Sequence, residues 1–309
     1  MERTTTTPSP ASIGGRSGLG WASGAYVSGG VTDGYDEFAS WRGRELDVAV
    51  IWVDRDDWND LTDSWVYTGW SGRGEILSLG IPPYPDDGTS SLAACAAGDY
   101  DDHWRAIAAA IDDAGIAARS VIRLGWELNG DWYPWAAHEP DTFVSCWRSV
   151  VAAAEEVAAV LRWEWTVAAG PGPAVTDAAD AWPGDAWVDI VGLTKYDEWP
   201  QACDDDTWRR AHLDGEFQLD HWRRFANAHD LPLAVSEWAP FDGGHNTESP
   251  CPDNAAYVGY MFDWFQRHRG DLAYEAYFNI AAEDMLSVLH RPDGLAAAAD
   301  AYRSHFGSA

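Results

Sequence analysis

Eight short apolar runs, each followed by a polar segment or a stretch with helical spacing, constrain this chain more than any other feature. They lie at residues 24–27, 46–53, 75–79, 121–124, 162–167, 188–194, 231–235 and 273–279. Residues 48–53 of the second run are continuously apolar, which is typical of a strand buried on both faces of a parallel sheet. Eight strands interleaved with helical patterns over about 290 residues predict an α/β fold, a single (β/α)8 TIM barrel.

The helical spacing is clearest between the third and fourth runs. Trp104, Ile107, Ala108 and Ile111 follow the i, i+3, i+4, i+7 rule, and Gly115 lies where that helix should stop. No internal repeat or linker divides the chain. We therefore expect residues 1–20, rich in Thr, Pro, Ser and Gly, to be a flexible leader, and residues 21–309 to be one catalytic domain.

The charge balance excludes several classes of partner. Fifty acidic residues against twenty basic ones give a formal net charge of −30, which repels nucleic-acid phosphates and anionic lipid headgroups. No apolar run approaches the roughly 20 residues that a membrane span requires. The leader lacks the apolar core of a signal peptide. We expect a monomer outside the cell or at its surface, with the cytoplasm as the alternative.

The four cysteines show no metal-ligand spacing, so neither a metal site nor a cofactor is expected. Cys146 falls in a helical pattern and is interpreted as a small buried residue. Cys203 and Cys251 lie in polar loops, where an exposed free thiol is unusual, and a disulfide between them is our hypothesis.

The stretch SVIRLGWELNGDWYPW, residues 120–135, carries the clearest chemical signal. An apolar strand ends near Glu127, a turn follows at Asn129-Gly130, and Trp132, Tyr133 and Trp135 offer flat apolar faces with polar edges. A sugar ring stacks on such faces. The seventh apolar run ends similarly, in Ser236-Glu237-Trp238.

In a (β/α)8 barrel, Glu127 and Glu237 follow the fourth and seventh strands, at the face that carries active sites. Glycoside hydrolysis uses one carboxylic acid to protonate the leaving oxygen, and a second carboxylate to attack the anomeric carbon or to activate water. The position of both carboxylates after strands at this face of the barrel therefore favours a glycosidase.

The segment RLGWELNGDWYPW also resembles the acid/base motif of glycoside hydrolase family 26, a group of retaining clan A enzymes that includes β-mannanases. Three further segments resemble that family: AAGDYDDHW from residue 96, WPGDAWVDIVGLTKYD before and through the sixth strand, and LPLAVSEW at the seventh. The resemblance covers roughly residues 20 to 305, and the order and spacing of its segments are its most specific property.

This resemblance implies Glu127 as the general acid/base, Glu237 as the nucleophile and Tyr196 as the phenol that orients the nucleophile. The expected substrate-binding residues are the matched motif positions and the tryptophans next to strand ends: Arg123, Trp126, Asn129, Trp132, Trp135, Trp199 and Trp238. One position departs from the family, which usually has His before the acid/base. Trp126 stands there, and an indole donates one hydrogen bond but neither accepts nor titrates.

The leading hypothesis is a retaining, endo-acting hydrolase of a β-linked polysaccharide, with β-mannan or β-glucan as substrate. Two alternatives are a glycosidase that acts on another glycan, such as xylan or arabinan, and a carbohydrate-binding barrel without catalytic activity. Lys195, the only lysine, adjoins Tyr196. It is expected to pair with an acidic loop, to contact substrate, or to be an incidental surface residue.

Overall fold

A computed structural model describes residues 15–198, 200–240, 242, 250–282 and 285–308. Eight parallel strands form a closed barrel in chain order, which confirms the predicted (β/α)8 fold. The strands are β1 (Ser23–Val27), β2 (Val48–Trp52), β3 (Ile76–Ile81), β4 (Ser120–Leu124), β5 (Arg162–Ala168), β6 (Ile190–Tyr196), β7 (Leu233–Ala239) and β8 (Leu272–Asn279).

Helices occupy the connections between the strands. They are α1 (Thr32–Arg42), α2 (Trp58–Thr62), α3 (Trp65–Gly69), α4 (Leu92–Ala96), α5 (Asp101–Asp113), α6 (Pro140–Glu155), α7 (Asp205–Thr207), α8 (Leu219–Ala228), α9 (Ala255–His268) and α10 (Ala296–Phe306). The predicted helical pattern appears in α5, which buries Trp104, Ile107, Ala108 and Ile111 on one face. Within the described part of the chain, no helix has the length and apolar character needed to cross a membrane.

The described chain falls into two compact units, of which the first comprises Ile51–Gly192. In it β4 pairs with β3 on one side and with β5 on the other. Two glycines make room for large side chains. A Cβ on Gly80 would lie 2.5 Å from the indole of Trp52, and a Cβ on Gly192 would lie 2.3 Å from the carboxylate of Glu164. An alanine at Gly80 would therefore clash with Trp52, and an alanine at Gly192 would clash with Glu164.

The second unit combines the described residues before Ile51 with those from Leu193 onward. There β1 pairs with β2 and β8, and β8 also pairs with β7. Its core is strongly aromatic: Trp238, Phe265, Tyr302 and Phe306 are fully buried.

Part of the predicted leader belongs to the second unit. The backbone N–H groups of Gly15, Arg16 and Ser17 donate to Oδ1 of Asp47 at 3.1, 2.8 and 3.2 Å. The same carboxylate accepts from the backbone of Ser23 at the start of β1. Residues 15–17 are thereby tied to the barrel, and residues 1–14 of the predicted leader lie outside the described part of the chain.

Two disulfides cross-link the chain. Cys203 bonds to Cys251, as hypothesised. Cys95 on α4 bonds to Cys146 on α6, so the interpretation of Cys146 as a simple buried residue is wrong: it is buried but bonded. The pairing depends on two helices meeting side by side, which a helical pattern alone does not indicate.

Candidate active site

Glu127 follows β4 in a strained backbone conformation. Its φ is 55°, in the left-handed region that a side chain disfavours, and Gly125 two residues earlier has φ 54°. The backbone N–H of Glu127 donates to the carbonyl of Thr166 on β5 at 2.9 Å. Such conformations cost about 1–3 kcal/mol and persist where the surroundings enforce them, often at functional sites.

Trp132 holds the Glu127 carboxylate. Its indole Nε1 donates to Glu127 Oε2 at 2.8 Å, while 53% of the Trp132 side chain remains exposed. Gly130 makes this possible, because a Cβ there would lie 2.3 Å from the Trp132 ring. Glu127 itself is half-buried. The arrangement therefore combines an oriented carboxylate with an exposed aromatic surface.

Asn129 connects the loops that follow β4 and β5. Its amide donates to the carbonyl of Ala168 at 2.9 Å and accepts from the backbone N–H of the same residue at 2.8 Å. A Cβ on Gly172 would lie only 2.0 Å from the Asn129 carbonyl, so the two backbones pack closely. Asn129 is buried, and these bonds occupy its amide within the protein.

Arg123 lies inside the first unit. It forms an ion pair with Glu164 at 3.3 Å, both side chains are fully buried, and its guanidinium lies 5.3 Å from the Trp52 ring centroid. A buried ion pair of this kind depends on both partners, because removing one leaves an uncompensated charge. The sequence predicts that Arg123 binds substrate, whereas the structure surrounds its guanidinium with Glu164 and Trp52.

Trp126, Tyr133 and Trp135 form one aromatic cluster. Tyr133 stacks on Trp135 with ring centroids 4.5 Å apart, and the Trp135 indole donates to the carbonyl of Trp126 at 2.9 Å. Trp126 and Trp135 are fully buried. Arg55, which sequence reasoning missed, places its guanidinium 5.7 Å from the ring centroids of both Trp126 and Tyr133. Trp126 and Trp135, predicted sugar contacts, thus present no open ring face in this conformation.

Glu237 lies within β7, and not after it as expected, because β7 continues to Ala239. Its carboxylate is buried, and the phenol of Tyr196 at the end of β6 donates to Oε2 at 2.6 Å. The structure therefore brings together the predicted nucleophile and the residue predicted to orient it.

Two further aromatic residues lie next to the pair formed by Glu237 and Tyr196. Tyr26 and Phe278 are register partners on β1 and β8, and their rings stack with centroids 4.7 Å apart. Phe278 also meets Tyr196 edge to face at 5.7 Å. Burial raises the pKa of Tyr26, and the nearby charge of Glu237 raises it further, so the phenol keeps its proton. Sequence reasoning missed both residues, although each is an aromatic near the end of a predicted strand.

Trp238 points to the other side of β7. It is fully buried, its indole donates to Glu275 Oε2 at 2.6 Å, and it packs on Phe265 and Phe306. A sugar cannot stack on a ring enclosed in this way, so the predicted substrate contact of Trp238 is corrected to a core position. The predicted contact of Trp199 lies outside the described residues.

Lys195 is buried beside the loop that follows Tyr196, and so it is not an incidental surface residue. Burial lowers its pKa to about 8, opposed by the charges of Asp197 and Glu198. Asp197 in turn accepts from the backbone of Ala202 and from Asn254, each at 2.7 Å. Lys195 donates to the carbonyl of Tyr196 at 3.3 Å, and the hydrogen bonds of Asp197 fix the chain directly after Tyr196.

Glycoside hydrolases use two carboxylic acid side chains, and this chain carries Glu127 after β4 and Glu237 within β7. The family model described as glycosyl hydrolase family 26 matches residues 104–213, a segment that contains Glu127, Arg123, Asn129 and Tyr196. This match confirms the resemblance to family 26 over residues 104–213.

Solved structures support the fold. The catalytic domain of an endo-β-1,4-mannanase from Bacillus sp. JAMB-750 has a TM-score of 0.68 at 17% identity, covering 94% of this chain and 88% of its own. A modular endo-β-1,4-mannanase from Cellulomonas fimi has a TM-score of 0.66 at 16% identity, covering 92% and 70%. The family 26 domain of a Prevotella bryantii endo-β-mannanase/endo-β-glucanase has a TM-score of 0.58 at 14% identity, covering 93% and 92%. A search of curated proteins returned no match.

Proposed function

We propose that this protein is a retaining, endo-acting hydrolase of a β-linked polysaccharide, with β-mannan as the first candidate and β-glucan as the second. The observation that carries the proposal is the family 26 match over residues 104–213, which contains Glu127 and its loop. Residues 21–309 would act as one catalytic domain, in a monomer.

The two carboxylates take different roles in this proposal. Glu127 donates a proton to the glycosidic oxygen while the carboxylate of Glu237 attacks the anomeric carbon, so the glycosidic bond breaks as the glycosyl–enzyme bond forms. In the second half, Glu127 removes a proton from water, and the water oxygen displaces Glu237. Two displacements at one carbon retain the anomeric configuration.

The surroundings of each carboxylate support this division. Glu237 is buried and bonded to the Tyr196 phenol, which limits its rotation and suits a nucleophile that must meet one carbon atom. Glu127 is half-buried and held by an indole N–H, in a loop open enough to exchange protons with a leaving group and with water. Trp132 presents the exposed aromatic face on which a sugar would stack.

The choice of substrate rests on two observations. Three structurally similar proteins bear names that state endo-β-mannanase activity, one of them combined with endo-β-glucanase. The net charge of −30 disfavours polyanionic glycans and leaves neutral polysaccharides. Two disulfides support an extracellular or cell-surface location, because such bonds persist in oxidising compartments.

Reducing-end release from a panel of mannans, β-glucans, xylans and arabinans tests the proposal. We expect turnover of mannan or β-glucan with a drop in viscosity ahead of sugar release, and a first product with the anomeric configuration of the substrate. Glu127→Gln and Glu237→Gln should each remove most of the activity, whereas Glu216→Gln, at an exposed carboxylate, should leave it unchanged. Binding without turnover of any glycan would instead establish the carbohydrate-binding alternative, and turnover of xylan or arabinan alone would reassign the substrate.

A further inference from the structure

A buried carboxylate that the reaction does not use lies next to the proposed nucleophile strand. Glu275 on β8 is fully buried. It accepts a hydrogen bond from the indole of Trp238 at 2.6 Å and another from the indole of Trp21 at 3.4 Å. Trp238 is the chain neighbour of Glu237, so this contact is one residue from the proposed chemistry.

The strand pairing is irregular at the same place. Val235 pairs with Glu275 and Trp238 pairs with Tyr277, so three steps along β7 correspond to two steps along β8. The extra residue falls in the Ser236–Glu237 segment. A bulge of this kind bends the strand and changes the direction of its side chains, and bulges are common next to active sites.

The bulge separates two neighbouring side chains that need opposite surroundings. Glu237 faces the phenol of Tyr196, whereas Trp238 enters the aromatic core and reaches Glu275. Because Glu237 and Trp238 share a peptide unit, anchoring the indole restricts the backbone rotation that aims the carboxylate of Glu237.

A carboxylate at position 275 is costly for the fold. Burial raises the pKa of Glu275 to about 7, although two indoles, Ser23 and the charge of Arg42 favour its ionised form. A leucine would avoid the desolvation cost but would leave the Trp238 N–H buried without an acceptor. A carboxylate at position 275 therefore gives up some stability and supplies the acceptor for the Trp238 indole.

We propose that Glu275 is a positioning residue: through its hydrogen bond with Trp238 it fixes the β7 bulge and so aims Glu237 at the anomeric carbon. This inference rests on the proposed function, in which Glu237 is the nucleophile. It predicts that loss of the bond slows the attack step and leaves substrate binding unchanged, because the Glu275 side chain is fully buried.

The test compares Trp238→Phe, which removes the donor, with Glu275→Leu, which removes the acceptor, and with the double variant. We expect kcat and the rate of inactivation by an activated fluoroglycoside to fall roughly 10- to 100-fold, the range for small misplacements of reacting groups, with KM within about twofold of the parent. The double variant should lose no more than the worse single variant, because all three break the same bond.

Two variants separate positioning from general stability. Glu275→Gln keeps a carbonyl acceptor for the indole and should retain most of the parent kcat. Trp264→Phe is the matched control, because buried Trp264 also donates to a carboxylate, Oδ1 of Asp220, at 3.1 Å but lies on α9. It should lower thermal stability and leave kcat unchanged.

The proposal is overturned if Trp238→Phe keeps the parent kcat, if the single losses multiply in the double variant, or if Trp264→Phe loses as much kcat as Trp238→Phe. Should Glu275→Leu be too unstable to purify, Trp238→Phe against Trp264→Phe decides alone. Failure of the proposed function is recognised separately, because the parent protein would then hydrolyse no glycan, or Glu237→Gln would keep the parent activity, whatever these variants do.

Discussion

Replacing Glu275 with glutamine should change how stability depends on pH. Burial raises the pKa of Glu275 from its ordinary value of 4.5 to about 7 in the folded protein. A carboxyl with a raised folded-state pKa contributes stability that is fully present below the unfolded pKa and is lost as pH rises through the folded pKa. The stability of the parent protein should therefore carry a component that falls between about pH 4.5 and pH 7.

The size of this component follows from the two pKa values. Each pKa unit of difference is worth about 1.4 kcal/mol, so between about pH 5 and pH 8 the Glu275 contribution falls by about 2.5 kcal/mol. Glutamine resembles the protonated acid and does not titrate. Relative to the parent protein, Glu275→Gln should gain about 2.5 kcal/mol of unfolding free energy between those pH values.

Urea unfolding of both proteins at about pH 5 and pH 8 measures this difference. The contributions of the other carboxylates cancel in the comparison, because both proteins contain them. Glu216→Gln, at an exposed position, serves as the control and should run parallel to the parent protein. Parallel curves for the parent protein and Glu275→Gln would refute the reasoning, since they would mean that Glu275 titrates alike in the folded and unfolded states.

Three further predictions concern other parts of the molecule. Replacing Cys203 and Cys251 with alanine opens a link between residues 48 apart and should lower the free energy of unfolding by about 4 kcal/mol in denaturant titrations; a loss below about 1 kcal/mol would contradict this. Burial and the nearby Lys195 charge lower the pKa of His212 to about 3, so the contribution of neutral His212 to stability is lost as pH falls from 6.5 towards 3. In denaturant titrations over that pH range, His212→Gln should lose less free energy of unfolding than the parent protein. Equal losses in the two proteins would disprove this. Gly130→Ala places a Cβ against the indole of Trp132 and should lower kcat/KM about tenfold by displacing it from its carboxylate partner; unchanged kinetics would show that this bond is dispensable.

Hydrophobic pattern made most of the barrel predictable, because each strand of a parallel barrel is a short apolar run between polar segments. The ends of the strands were harder to predict from the sequence. The run 231–235 predicts an end at Val235, yet β7 continues to Ala239. Ser236, Glu237 and Trp238 look like a loop in sequence because a polar pair interrupts the apolar run, whereas in the structure the bulge lets this segment stay in the sheet.

The sequence predicted the positions of the two carboxylates near the ends of β4 and β7, and the surroundings of the aromatic residues only in part. Glu127 and Trp132 are five residues apart in the sequence, and in the structure the indole of Trp132 donates a hydrogen bond to the Glu127 carboxylate. Trp126, Trp135 and Trp238 are buried, because adjacency to a strand end does not indicate which side of the strand a ring occupies.

The sequence predictions did not include Tyr26, Glu275 and Arg55, and the sequence marks these three residues to different degrees. Tyr26 is an aromatic residue near the end of a predicted strand, and Glu275 is a carboxylate inside an otherwise apolar run, which marks a buried charge. The position of Arg55 over the aromatic cluster had no such signal, because it depends on how two separate loops meet.

The most direct test of the proposed mechanism is to trap its covalent intermediate. The parent protein is incubated with an activated fluoroglycoside of the sugar it hydrolyses, and the labelled peptide is identified by mass spectrometry after proteolysis. Our account predicts one glycosyl group on Glu237, and no label when Glu237→Gln is treated in the same way. A label on Glu127 or on any other carboxylate, or turnover that inverts the anomeric configuration, would contradict it.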